Sequence, residues 1–127
     1  MPWKIKGFIV AEGNSKTIVA DWYEAQSEDV KAAFYARMEF LIQRDQWDRP
    51  YVGQLRAKCA GLFEIVLRVA NVQHRPIGYF SGKREFTFLA FATERDGEFD
   101  PRDICKTAFN RKALIESKKE RAREIRF

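Results

Sequence analysis

Apolar residues recur at helical spacing in the N-terminal third of the chain. The residues of this stripe are Val30, Phe34, Met38 and Leu41. Residues three or four positions apart lie on one side of an α-helix, so the pattern predicts a helix that packs this side into the core. Ser27 is a favourable N-cap for it, and Asp48–Pro50 is its predicted end, because the residue before a proline avoids helical geometry. A strand is predicted before it, over Ile5–Ala11.

The middle of the chain changes to the short alternating pattern of β-strands. Three strands are predicted, over Leu62–Val69, Gln73–Phe80 and Glu85–Thr93. In the first, alternation places Glu64 on the solvent side. Pro76 cannot donate a hydrogen bond to a neighbouring strand, so a bulge is expected there. The third strand is apolar on both faces, which is typical of a central strand covered by helices on one side. Thr17–Ala20 fits either a short strand or the approach to a helix.

The C-terminal part combines a helix with a basic tail. Asp100 as N-cap and Pro101 at the first helical position predict the start of a helix. Its apolar stripe stops after Ile115, so residues 116–127 are expected to form a helical tail that lies outside the core. The whole pattern predicts an α+β fold, with a small twisted, mainly antiparallel sheet, an N-terminal helix or helical hairpin and a C-terminal helix.

Composition narrows the class of protein. A chain of 127 residues that is 46% hydrophobic is expected to form a single domain, residues 1–127. It shows neither a signal peptide nor an apolar run long enough for a membrane span, which favours a cytoplasmic protein. Cys59 and Cys105 lie in unrelated contexts and are expected to be reduced thiols. With one histidine in the chain, no metal site and no cofactor are expected.

The formal net charge is +5, and +4 of it lies in residues 111–127, which end the chain's last predicted helix and include the tail. Such asymmetry favours an anionic partner, whereas the alternative is a solvated helix with internal charge pairs. The tail residues expected to contact RNA are Lys118, Lys119, Arg121 and Arg123. Further RNA contacts are expected from Arg68, Lys83 and Arg84, which lie on or between the predicted strands.

No catalytic triad, phosphate-binding glycine loop or metal cluster is visible. The polar and basic groups around the sheet instead suit RNA cleavage without a metal. In that reaction the 2′-OH attacks its own phosphate, arginines stabilise the phosphate charge, and His74 or Tyr79 moves protons. Each has a plain alternative: a strand arginine is usually solvated or ion-paired, His74 can be polar surface, and Tyr79 can be a core aromatic.

The segment Gly61–Ala113 resembles the RelE/ParE superfamily of bacterial toxins, in particular its HigB-like, phage-associated branch. The resemblance consists of Gly61, Leu62, Phe63, Glu64 and Ile65, then Arg75 leading to Tyr79 and Phe80, and the apolar strand Phe86–Thr93. It implies a ribosome-dependent mRNA endonuclease in which Arg75 and Arg95 are catalytic. Many family members have a tyrosine or histidine shortly after the position of Arg95, where this chain has Phe99.

The resemblance also implies the partners and setting of the protein. A type II toxin acts on the ribosome and its mRNA in a bacterial cytoplasm, is encoded by a bacterium or prophage, and is inhibited by a cognate antitoxin, expected here to be of the helix-turn-helix type. Two alternatives remain on the same scaffold: a ParE-like toxin that binds gyrase, and a phage-derived binding module without enzymatic activity. The sequence leaves the oligomeric state open.

Overall fold

A computed structural model describes residues 2–11, 13 and 16–127. Within these residues the chain forms eight strands and three α-helices. The strands are β1 (Lys4–Phe8), β2 (Val52–Gln54), β3 (Phe63–Ile65), β4 (Leu67–Val69), β5 (Val72–Gly82), β6 (Glu85–Arg95), β7 (Glu98–Asp100) and β8 (Ala122–Ile125). The helices are α1 (Ile18–Glu24), α2 (Glu28–Ile42) and α3 (Ile104–Ser117). The predicted α+β architecture is confirmed.

The strands form one mixed sheet in the order β2-β3-β5-β6-β1-β8, with β4 also paired to β5 and β7 to β6. Strands β1 and β6 run parallel. The central pair β5–β6 is antiparallel and is the longest in the sheet. The two edges are formed by the short strands β2 and β8.

Helices cover both faces of β6, rather than one face as expected. On the first face, the Trp22 ring of α1 stacks on Phe91 at 4.4 Å, and the Phe34 ring of α2 lies 5.9 Å from Phe88. On the second face, Arg111 of α3 reaches back to the sheet. We call these the α1–α2 face and the α3 face. A strand that is apolar on both sides needs such double cover to keep its side chains from water.

Pro76 accounts for two irregularities of the sheet. Strands β3 and β4 pair with β5 in the same register. The pairing is interrupted opposite Arg75 and Pro76, because proline has no N–H to donate. The predicted strand Leu62–Val69 is therefore split in two. The expected bulge is confirmed next to Pro76, because the β5–β6 register shifts between Ile77 and Gly78. The carbonyl of Leu89, the extra residue of β6 at this shift, accepts a hydrogen bond from Arg111 of α3 at 2.8 Å.

Gly78 is required where β5 passes closest to β6. A Cβ atom at this position would lie 2.2 Å from the carbonyl oxygen of Thr87 and 2.6 Å from the Phe86 ring. Backbone atoms of a central strand cannot move aside, so only glycine fits.

The observed boundaries of the helices correct several expectations. The N-cap role of Ser27 is confirmed, since its hydroxyl accepts from the Val30 amide. Helix α2 ends at Ile42, well before Asp48, because the Trp47 indole binds the Leu41 carbonyl at 2.9 Å and turns the chain back. Thr17–Ala20 proves to be a helix start, with Thr17 as the N-cap.

Helix α3 begins later than the sequence predicts. Asp100 is the last residue of β7 rather than an N-cap, and the N-cap position is Asp103. The pairing of Thr93 with Asp100 explains the difference, because it draws Asp100 into a hairpin with β6. At Asp100, strand pairing outweighs the local sequence preference for starting a helix.

The C-terminal tail is not a helix outside the core. After α3, a 3-10 turn over Lys119–Arg121 leads into β8, which pairs antiparallel with β1. Ile125 lies opposite Ile5 in that pairing, and the Phe127 ring lies 5.9 Å from the buried Phe34 ring. The expectation of a helical tail was wrong because alternation in a four-residue strand is too short to recognise in sequence.

The two cysteines are bonded to each other rather than reduced. Cys59 and Cys105 form a disulfide, with Cα atoms 5.4 Å apart. The 3-10 helix Ala57–Cys59 meets the first turn of α3, which brings together cysteines 46 positions apart in the chain. Spacing alone does not reveal such a contact. Lasting disulfides are typical of oxidising compartments, so the cysteines give no support to a cytoplasmic location.

Among the described residues, no helix has the length and hydrophobicity needed to cross a membrane.

Candidate functional site

Four polar or aromatic side chains form a row across one end of the sheet. Strand pairing sets Arg68 of β4 opposite Gln73 of β5, Gln73 opposite Glu94 of β6, and Glu94 opposite Phe99 of β7. Directly opposite residues point to the same face, with Cβ atoms about 5 Å apart. Arg75 lies two positions beyond Gln73 and therefore shares this face, which is the α3 face.

Arg75 is held between two carboxylates. Its Nε lies 2.9 Å from Oε1 of Glu94 and 3.4 Å from Oε2 of Glu64. A third contact runs from Nη1 to the carbonyl oxygen of His74 at 3.2 Å. The side chains of Arg75 and Glu64 are 11% and 9% exposed, whereas Glu94 is 29% exposed. We call Arg75, Glu64 and Glu94 the Arg75 cluster.

Burial changes the proton affinity of this cluster. Burial raises the pKa of Glu64, Arg75 opposes the rise, and the negative charge of Glu94 adds to it. A carboxyl group with a raised pKa is better suited to exchange protons near neutral pH. The cluster therefore combines a fixed positive charge with a group that can move a proton. Sequence reasoning placed Glu64 on the solvent side, which is wrong: Glu64 is 7% exposed, lies between Gly53 of β2 and Ile77 of β5 in the sheet, and is ion-paired with Arg75.

The other resemblance-derived catalytic residue, Arg95, does not join the cluster. Arg95 is exposed at the end of β6, opposite Glu98, and alternation directs it to the other face from Glu94. Phe99, at the position where a tyrosine or histidine was expected from the resemblance, lies directly opposite Glu94. Its ring cannot move a proton, but the neighbouring carboxylates of the cluster can.

His74 faces away from Arg75. It lies on the α1–α2 face, is 8% exposed, and its ring is 6.4 Å from Trp22 in an edge-on arrangement. Burial lowers the pKa of His74, and the nearby Arg75 charge lowers it further. A neutral, buried imidazole on the opposite face cannot act with the Arg75 cluster, so the structure does not bring these two predicted residues into one site.

Acid should destabilise the protein through His74. Its pKa in the folded state lies below the unfolded value of 6.5, so the unfolded chain takes up a proton first as the pH falls. The stability contributed by neutral His74 is present above that pH and is lost progressively below it. We expect the urea midpoint to fall between about pH 7.5 and about pH 5.5, and to fall less in His74→Gln. Glu64 titrates in the opposite sense, and both variants retain it. An equal fall of the urea midpoint with pH in the wild type and in His74→Gln would contradict this assignment to His74.

Tyr79 lies at the other end of the α3 face. It lines a cleft of about 440 Å³ with Lys6, Ser81, Thr87, Glu116 and Lys119. Burial raises the pKa of Tyr79, and the charges of Glu116 and Glu85 raise it further. A phenol with a raised pKa keeps its proton at neutral pH. Tyr79 lies four residues beyond Arg75 along β5 and pairs with Thr87, whereas Arg75 pairs with Ala92, so the two share a face at different ends of the sheet.

The expected RNA-binding residues are spread over three parts of the surface. Arg68 lies in the row beside the Arg75 cluster, and its guanidinium donates to Asn71 at 3.2 Å. Lys83 and Arg84 form the β5–β6 turn at the opposite end, where Arg84 lies over the Trp3 ring and 3.5 Å from Asp45. Strand β5 continues to Gly82, two residues beyond the predicted end at Phe80, so the turn is confined to Lys83 and Arg84.

The basic residues of the C-terminus belong to the β8 edge. Arg121 donates to the carbonyls of Ile9 and Val10, at 3.0 and 2.6 Å, and lies over the Phe8 ring. These contacts give Arg121 a structural role. Lys118 and Lys119 lie between α3 and β8, and Arg123 pairs with Gly7 of β1 in the sheet. Of the seven expected contacts, only Arg68 adjoins the Arg75 cluster.

No family model, curated protein or solved structure matches this chain.

Proposed function

We propose that this protein is the toxin of a type II toxin–antitoxin pair, built on a RelE-like scaffold. The resemblance of Gly61–Ala113 supports the proposal. The order of elements is compatible with it: an N-terminal strand, a pair of helices, an antiparallel group of strands and a C-terminal helix. Arg75, the residue on which the resemblance depends most, lies on the face opposite α1 and α2 beside two carboxylates.

The chemistry that the site supports best is metal-free cleavage of RNA. The observation that carries this is the Arg75 cluster, in which a guanidinium lies beside the buried Glu64, whose pKa is raised. In the proposed reaction the Glu64 carboxylate takes the proton of the 2′-OH, whose oxygen forms a bond to the phosphorus. The bond from the phosphorus to the 5′-oxygen breaks, and the leaving 5′-oxygen takes a proton from water, which leaves a 2′,3′-cyclic phosphate. Arg75 neutralises the charge that develops on the phosphate, and Arg68 holds a neighbouring phosphate. A phosphate oxygen replaces Glu94 at Arg75, since Glu94 is the more exposed partner.

One observation favours a second candidate. Two carboxylates already neutralise Arg75, and His74 is directed to the other face. A scaffold in which the central arginine is structural suits the ParE-like or binding-module alternative, which acts by covering a partner such as gyrase. The two candidates predict different cellular targets.

Induction of the chain alone in bacteria should stop growth by stopping translation. We expect pulse labelling to show a loss of amino-acid incorporation into protein before any loss of thymidine incorporation into DNA. A prompt loss of DNA synthesis with translation intact would indicate gyrase. Normal growth at good soluble expression would remove the toxin proposal. Co-expression of a small helix-turn-helix protein encoded beside the gene should restore growth, as expected of a cognate antitoxin.

Action on the ribosome places the protein in the bacterial cytoplasm. Disulfides are rare there, because cellular thiols keep most cysteines reduced. Rapid alkylation of thiols at harvest shows whether the Cys59–Cys105 bond forms in the cells whose growth is measured.

A further inference from the structure

A second cleft lies where the 3-10 helix Ala57–Cys59 meets the start of α3. It measures about 450 Å³, and its walls are joined by the Cys59–Cys105 disulfide. Besides Cys105, the lining residues are Lys58, Arg102, Asp103, Lys106, Phe109 and Asn110. We call this the disulfide cleft. Sequence patterns do not group these residues, because five strands, β3 to β7, separate Lys58 from the others along the chain.

The disulfide joins the two segments that carry the lysines of this cleft. Lys58 precedes Cys59 and Lys106 follows Cys105, so each lysine adjoins one of the two bonded cysteines, whose Cα atoms are 5.4 Å apart. Among the described residues, the side chains of these two lysines make neither an ion pair nor a hydrogen bond. Because both lysines line the same cleft, an anion bound there is attracted by two positive charges. The covalent bond therefore maintains an arrangement that favours an anionic ligand.

The remaining charges of the cleft leave it positive. Arg102 makes an ion pair with Glu98 at 3.1 Å, but these side chains are 82% and 65% exposed. Such exposed pairs contribute little, so a phosphate can replace Glu98 at low cost. Asp103 is the only acidic residue among the lining residues, against three basic ones.

An aromatic ring distinguishes this cleft from a simple basic patch. Phe109 is half-buried and lines the wall beside Asn110, one turn of α3 beyond Lys106. Its ring edge lies 4.0 Å from the Cβ position at Gly61, which has a φ of +99°. Grooves that combine cations with an aromatic ring bind single-stranded nucleic acids, because the cations contact phosphates and the bases stack on the ring.

We propose that the disulfide cleft binds single-stranded RNA, with Lys58, Lys106 and Arg102 contacting phosphates and Phe109 stacking on a base. The choice of RNA over DNA rests on the proposed function. Binding itself requires neither the ribosome nor cleavage, so it is measured independently of toxicity.

The test is fluorescence anisotropy of a short labelled single-stranded RNA with the oxidised protein across a salt series. The double variant Lys58→Gln/Lys106→Gln should bind about tenfold more weakly at low salt. It should also reduce the slope of log affinity against log salt by about 1.4, as expected for two lost phosphate contacts to a single strand. The matched control is Lys4→Gln/Lys31→Gln, which removes the same charge elsewhere and should leave both quantities nearly unchanged.

Two further variants test the Phe109 ring and the Cys59–Cys105 disulfide. Phe109→Leu should weaken binding about tenfold, the usual scale for one lost stacking contact. Cys59→Ser/Cys105→Ser should weaken binding several-fold and leave the contribution of Phe109 in place, because only the spacing of the lysines is released. Circular dichroism confirms that each variant is folded.

The outcomes separate this proposal from the toxin proposal. Equal weakening by the two lysine pairs would remove the cleft as the RNA site. Competition by polyglutamate as strong as by unlabelled RNA, with normal binding by Phe109→Leu, would identify a face for an acidic protein and overturn the RNA assignment. If RNA binding depends on the cleft but expression of the protein leaves bacterial growth normal, the proposal for the cleft is supported and the toxin proposal is excluded.

Discussion

Replacing Arg75 with alanine is expected to lower the free energy of unfolding by about 3–5 kcal/mol, the usual cost of leaving buried charge without its partner. Glu64 is buried and would lose Arg75, its closest cation. The same substitution should reduce RNA cleavage by about 10²–10³-fold, if Arg75 stabilises the charge on the phosphate. Sequence reasoning alone predicts that folding survives the change, because a strand arginine that faces a site has little core to lose. The burial of Arg75 reverses that expectation.

A second substitution separates the two effects. Arg75→Lys keeps a positive charge between Glu64 and Glu94, so most of the stability should remain. A lysine lacks the planar guanidinium that binds two phosphate oxygens at once, and cleavage should still fall by about 10²-fold. Urea unfolding and primer extension on translated messages measure the two quantities. Normal cleavage by folded Arg75→Lys would make Arg75 a structural residue and favour the binding candidate.

Truncation after Ser117 is expected to destabilise the protein strongly. It removes β8 from the edge of the sheet, together with Ile125 and the Phe127 ring that packs on Phe34. The lost apolar burial and strand hydrogen bonds should cost about 3 kcal/mol or more, which lowers the thermal midpoint by roughly 10 °C. The opposite expectation, an unchanged midpoint, follows from reading the tail as a helix outside the core.

The matched control for truncation changes charge without removing the strand. Lys119→Gln/Arg126→Gln alters two exposed residues, one in the 3-10 turn before β8 and one directly after β8, and should keep the wild-type midpoint. If the tail attracts ribosomal RNA, this variant should sediment less with ribosomes at low salt and equally at high salt. A truncated protein with a normal midpoint would show that β8 contributes nothing to the fold.

Local patterns predicted the elements whose signals are long. The stripe Val30–Leu41, with Ser27 as N-cap, identified α2 correctly because four buried residues repeat over three turns. The predicted break between the strands Leu62–Val69 and Gln73–Phe80 is also present, and Ala70 and Asn71 adopt positive φ angles of 50° and 65° there. The three predicted strands correspond to β3 with β4, to β5 and to β6.

Long-range contacts account for what the sequence did not reveal. The end of α2 depends on Trp47 returning to Leu41, β8 depends on pairing with β1 at the other end of the chain, and the disulfide depends on two distant turns meeting. In the candidate site, Arg75 was identified through the resemblance, but its partners were not. Glu64 and Glu94 are 30 positions apart, and only the pairing of β3, β5 and β6 brings both to one guanidinium.

Mapping RNA ends in induced cells tests the central claim most directly. Primer extension is run on a translated message and on the same message with its start codon removed, in cells that express wild type or Arg75→Lys. A ribosome-dependent endonuclease predicts new 5′ ends within the codons of the translated message, with few in the untranslated one and few with the variant. Intact messages in growth-arrested cells would contradict the account and leave a toxin that acts by binding.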